Sequence, residues 1–163
     1  MRIRFCWFIR GYGLNLGVAT VTGSVPVKIG RVDAATGALY PVVQVEVRGR
    51  DGTSVFVDAV LDTGFTGTIS VPIGVIHELG IVRRRRETFV LADGSTSESS
   101  VYDGSVRFAG SWFETDIFST HYVPTVGMRL MHGANISFDA VPDGDIEYRS
   151  LDLPRPRWPL HRQ

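Results

Sequence analysis

The chain has 163 residues, with 17 basic and 17 acidic side chains and a formal net charge of zero, and that length fits one domain burying roughly two thirds of the surface its unfolded chain exposes. Balanced charge excludes a global field that gathers nucleic acid or anionic lipid, and no apolar run approaches the ~20 residues of a membrane-spanning helix. The single cysteine, Cys6, leaves neither an internal disulfide nor a Cys-rich metal site, so a reducing compartment, the cytoplasm, is the expected location.

In chain order, Arg2 and Arg4 precede a short apolar patch that Arg10 cuts below the ~7–15 residues of an export signal. Together with the Gly- and Thr-rich stretch that follows, residues 1–40 read as an N-terminal arm to which no function is assigned. From Pro41 the pattern becomes regular. Val43, Val45 and Val47 alternate with Gln44, Glu46 and Arg48, the period of a half-buried strand. Residues 49–52, Gly-Arg-Asp-Gly, read as a hairpin turn, and the nearly continuous apolar return strand 54–61 is expected to lie deeper than its partner. That strand ends on Asp62.

A short strand over 68–71 should follow, then a helix with Pro72 at its first position, Ile73, Ile76 and Leu79 on one face, and Gly80 as its stop. The arginine run 83–86 is expected to be a solvated face just beyond that helix rather than a nucleic-acid contact, because the total charge is balanced. Residues 89–91 and 101–108 flank a second hairpin with Asp93 and Gly94 at its tip. After a turn at 109–111, residues 112–118 make a further strand. Residues 123–133 read as a strand and a one- or two-turn helix ended by Gly133, with a closing strand over 134–139. The composition then shifts to Pro, Arg and Asp, so 141–163 is expected to be a surface tail. The fold class is mainly β with one or two short helices.

A carboxylate at a strand end, such as Asp62, has three readings. It can cap a turn by accepting hydrogen bonds from the next backbone N–H groups. It can be a phosphoryl-accepting nucleophile, but such chemistry needs a cation, and Lys28, the sole lysine, lies upstream. It can be half of an acid–base carboxylate pair. The histidines at 77, 121, 132 and 161 show no metal-ligand spacing, and no nucleophile elbow supports a serine triad.

Three segments favour the paired acid. Val60-Leu-Asp-Thr-Gly64 after a hairpin, Leu91-Ala-Asp-Gly-Ser95 between two strands, and Val123-Pro-Thr-Val-Gly-Met-Arg-Leu-Met131 stand in that order. Together they resemble the retropepsin-like aspartic proteases, especially the single-domain bacterial type, over residues 41–139. The resemblance implies a closed β-barrel-like acid protease fold with a flap hairpin, occupying 41–140 between the arm and the tail. It implies an aspartic endopeptidase with a peptide or protein substrate, no metal and no other cofactor, and no nucleic-acid or membrane partner. The chain supplies one such acid, so the resemblance also implies a symmetric homodimer in which Asp62 of each copy meets across the two-fold axis. Thr63 would then hydrogen-bond across the dimer, Gly64 allow close backbone approach, and Gly127 pack behind the loop. Ala92, Asp93, Gly94 and Ser95 would form the flap that closes over an extended peptide.

Two features depart from that pattern. The flap lacks a glycine-rich tip, and Phe65 stands where a small residue is common, so it either narrows the cleft or joins the core. The segment 138–144 echoes 57–64 but lacks the threonine and is interrupted by Pro142, so no second acid is expected there. The alternative function is a peptide- or protein-binding module of the same fold that holds a partner without cutting it.

Overall fold

The structure, a computed structural model, describes residues 25–35, 37–91, 93–151 and 153. Ten strands and one helix follow one another: β1 Val27–Ala35, β2 Ala38–Arg48, β3 Ser54–Leu61, β4 Ile69–Pro72, α1 Ile73–Glu78, β5 Arg83–Val90, β6 Thr96–Phe108, β7 Ser111–Thr120, β8 Thr125–Val126, β9 Ala134–Phe138 and β10 Asp145–Ser150. The chain is mostly β, as its alternating patterns imply.

The strands form one sheet ordered β5-β6-β7-β4-β8-β3-β2-β1-β10-β9, and a further pairing of β6 with β2 joins its middle into a ring. Closure happens where Val47 pairs with Val106. β6 is long enough to do two jobs: its first half pairs with β5 in a hairpin, and its second half closes the ring. Val43, Val45 and Val47 point inward from β2, fully buried, and meet Val57 and Ala59 from β3, Ile69 and Val71 from β4, and Ile117 from β7. Each of these valine and isoleucine side chains contributes on the order of 1.5–3 kcal/mol when removed from water.

Strand β3 alternates like its partner instead of lying deeper: Val57 and Ala59 are buried while Asp58 is exposed and Phe56 is 60% exposed. A wall strand of a ring has one face in the core and one in solvent, and the pleat enforces that period even on an apolar sequence. Helix α1 buries Ile76, and Leu79 just beyond it is buried too; Gly80 takes a positive φ of 59° and ends the helix. It is the one helix among the described residues. Residues 127–133 form successive turns, with Leu130 and Met131 donating to the Gly127 carbonyl, so the expected second helix is absent.

The sheet also reaches past the boundaries read from sequence. β1 and the start of β2 lie within 1–40, and β10 lies within 141–163, paired between β1 and β9. Ile146 is fully buried and Tyr148 packs edge-on against Phe108 at 5.8 Å, which fixes β10 onto the core. Residues 1–24 and 154–163 lie outside the described residues, as does Ala92.

The arginine run is largely the solvated face expected beyond the helix: it opens strand β5 with Arg83, Arg84 and Arg86 exposed and Arg85 half-buried. Arg84, Arg85 and Arg86 pair with Asp103, Asp116 and Glu98 on neighbouring strands.

Candidate active site

The site is made by an unusual crossing of backbone. β3 runs parallel to one side of β8, and β4 runs antiparallel along the other side. The loop joining β3 to β4 must therefore pass over the end of β8, at Gly127. Hydrogen bonds hold the crossing at every step. Asp62 N–H donates to the Val126 carbonyl at 3.0 Å, and the N–H groups of Gly127, Met128 and Arg129 donate to the carbonyls of Thr68, Phe65 and Gly67 at 2.8, 2.9 and 3.0 Å. There is no room for a side chain at the crossing: a Cβ on Gly127 would stand 2.5 Å from the Gly67 carbonyl oxygen.

Asp62, Thr63 and Gly64 are exposed on the outer side of this loop. One carboxylate oxygen of Asp62 accepts the Gly64 N–H at 2.7 Å. Among the described residues its other oxygen has no hydrogen-bond partner. A Cβ on Gly64 would lie 3.1 Å from Asp62 Oδ1, close enough to disturb the carboxylate.

Asp62 lines a groove of about 570 Å³. Phe65, Phe89 and Phe118 line it as a triangle with ring centroids 5.1–6.0 Å apart, tilted or edge-to-face, an arrangement aromatic quadrupoles favour. Of the two roles its position allowed, Phe65 takes the cleft: it packs against Phe89 and Phe118 in the groove wall and stands outside the buried core cluster. Rim residues Val90, Leu91, Tyr122 and Val123 are 75%, 48%, 85% and 59% exposed. Asp62 is the one charged residue among the described groove-lining residues.

Of the expected flap residues, Asp93, Gly94 and Ser95 sit at the tip of the β5–β6 hairpin. Gly94 adopts a φ of 83°, and Asp93 Oδ1 accepts both the Ser95 N–H at 2.9 Å and its hydroxyl at 2.6 Å. The Ser95 hydroxyl first, then the Ser95 N–H, hold the Asp93 carboxyl below its ordinary value. That acid is committed to its own turn. Asp93, Gly94 and Ser95 are not among the groove-lining residues; the hairpin's contribution comes lower, from Phe89, Val90, Leu91, Ser97 and Ser99.

No protein-family model matches the chain, and no curated protein sequence matches it. The solved structures that resemble it in fold include two aspartic proteases. A retropepsin-like aspartic protease from Rickettsia conorii is 16% identical, with 78% of this chain and 93% of that one covered and a TM-score of 0.46. EIAV protease, complexed with the inhibitor HBY-793, is 17% identical, with 60% of this chain and 90% of that one covered and a TM-score of 0.44.

Sequence reasoning missed Phe89, Phe118 and Tyr122 as groove residues. A signal existed for Tyr122, which lies just before the segment that brackets Asp62. Phe118 had none, since it reads as ordinary strand. Among the described residues no group of three or more His, Cys, Asp or Glu side chains is gathered to hold a metal, and no helix is long and apolar enough to cross a membrane.

Proposed function

We propose that the chain is one subunit of an aspartic endopeptidase in which Asp62 of two copies forms the catalytic pair. The carrying observation is the placement of Asp62: an exposed carboxylate, anchored through one oxygen, on the edge of a groove that is otherwise uncharged and floored by aromatic rings. Two carboxylates about 3 Å apart share one proton, because both cannot ionise easily at that distance. In the pair one carboxylate accepts a proton from the attacking water while its partner donates to the scissile carbonyl oxygen. The chemistry needs no metal and no cofactor, and the substrate is a peptide or protein.

A second copy is supported by two features of the surface. Thr63 is exposed beside Asp62, free of the loop's own hydrogen-bond scheme among the described residues. The two edges of the sheet also differ. β5 opens with four consecutive arginines, the sort of charge that discourages further strand pairing, whereas β9 carries no charge and no proline and leaves Phe138 48% exposed. β9 is therefore the edge freer to pair with its own copy about a two-fold axis.

A binding module is the second reading, favoured by the Asp62–Gly64 hydrogen bond, which is also what a purely structural turn makes. Light scattering combined with cleavage of a mixed peptide library between pH 4 and 7 separates the two. A dimer that cuts peptides, and stops in Asp62→Asn, supports the peptidase. A monomer without turnover, whose groove still binds peptide in that variant, supports the module.

A further inference from the structure

Among the described residues the buried polar or charged residues are Thr68 and Asp116, each 6% exposed, and they belong to one cluster. The Thr68 hydroxyl donates to the Asp116 backbone carbonyl. The Asp116 carboxylate takes both terminal nitrogens of Arg85, at 2.8 and 3.2 Å, and Arg85 also reaches Glu87 at 2.9 Å. The three partners come from three places that matter to the groove: Thr68 ends the Asp62 loop, Asp116 lies on β7, and Arg85 lies on the hairpin strand β5.

Local geometry shows how Arg85 gets there. The β5–β6 register slips between Arg83 and Arg85, so Arg84 is an extra residue. Such a bulge re-aims side chains. Arg84 then pairs with Asp103 at 3.0 Å while Arg85 turns to Asp116. Past the bulge, Arg85, Glu87 and Phe89 alternate along the half-buried face of β5, and Phe89 is one corner of the aromatic triangle.

We infer that the Arg85–Asp116 pair is a positioning device that locks the β5–β6 hairpin in register over the groove and ties it, through Thr68, to the loop bearing Asp62. Arg85 and Asp116 are positioning residues that touch no substrate. A buried ion pair is weak as a source of stability, since desolvation offsets most of the attraction, but its bidentate geometry admits one arrangement. The inference rests on the proposed peptidase for its kinetic consequences and on the fold alone for its structural ones.

Two variants and two readouts decide it. In Asp116→Asn, amide hydrogen exchange should rise about tenfold over residues 86–98 while the β2–β3 amides stay protected. With a cleaved peptide, KM should rise about tenfold with kcat changed far less, as expected when a binding wall shifts and the reacting groups do not. The triple variant Arg85→Met/Glu87→Gln/Asp116→Leu removes all three charges of the cluster together, so it should melt near wild type yet keep the raised KM. Exchange that rises uniformly or not at all, or a triple variant that recovers both melting temperature and KM, overturns the inference. Wild-type protein without peptidase activity would sink the proposed function instead, and the exchange pattern would still decide the coupling.

Discussion

The Gly64 backbone N–H donates to Asp62 Oδ1 at 2.7 Å, and this bond reconciles the two readings of the acid. A turn-capping carboxylate and a catalytic one are not exclusive when the cap uses one oxygen and leaves the other facing solvent. In Asp62→Asn the amide oxygen can still accept from Gly64, so the loop should survive. Turnover should fall by about 10²- to 10⁴-fold, the usual worth of a positioned acid–base group. Peptide cleavage and a thermal melt on the same sample test this together. A variant that melts normally but retains wild-type turnover would remove Asp62 from the chemistry.

Gly127 sets a steric prediction. Its Cβ would meet the carbonyl oxygens of Gly67 and Phe65 at 2.5 and 2.6 Å, and backbone carbonyls cannot rotate aside as a side chain can. Gly127→Ala should cost roughly 1–3 kcal/mol, and the melting temperature should fall by roughly 2–4 °C per kcal/mol. Gly74 in α1 is the control, because nothing lies within 4 Å of its Cβ position. There Gly→Ala should stabilise the helix by roughly 0.5–1 kcal/mol. Melts that move both variants the same way would contradict the crowding argument.

The hairpin tip should respond to acid. The Asp93 carboxyl is held below its ordinary value of 3.8, first by the Ser95 hydroxyl and then by the Ser95 N–H. A carboxyl lowered in the folded state stabilises the turn above its unfolded pKa and loses that contribution as pH falls through the folded value. Tip order should therefore persist at neutral pH and loosen only in strong acid. An NMR titration of the Asp93 carboxyl should show a midpoint below 3.8, moving upward in Ser95→Ala. An unmoved midpoint would show that the hydroxyl does not hold the acid.

The sequence made legible what depends on short-range pattern and left illegible what depends on closure. Alternation over 43–47, the turn at 49–52 and the Asp93-Gly94 tip follow from local rules, and all three stand in the structure. β10 carried a signal, Ile146 and Tyr148 spaced by two, but Pro142 and the acidic residues around it masked a strand that is stable only because β1 and β9 receive it. The arginine run was legible as solvated charge, since Arg83, Arg84 and Arg86 are exposed, but the half-buried Arg85 was not, because its partner Asp116 lies far away in sequence. The same holds for the groove. Asp62 announced itself by its neighbours, whereas Phe118 joins Phe65 and Phe89 through pairings that no local pattern specifies.

The β6–β7 turn offers a stabilising change away from the groove. Ala109 has a φ of 47° and Gly110 a φ of 82°, so both central residues of this two-residue loop are left-handed. That is the type I′ geometry whose twist suits a hairpin, and Asn-Gly is its preferred pair. Alanine in a left-handed conformation pays roughly 1–2 kcal/mol because Cβ crowds the following carbonyl, whereas asparagine tolerates it. Ala109→Asn should recover roughly 1 kcal/mol of that strain and raise the melting temperature by roughly 2–4 °C. Activity should be unchanged, because Ala109 is not among the groove-lining residues. Thermal melts of wild type, Ala109→Asn and Ala109→Val decide it: the β-branched variant should melt lowest, and an asparagine variant no more stable than wild type would mean that the turn relaxes in solution to a geometry alanine accepts.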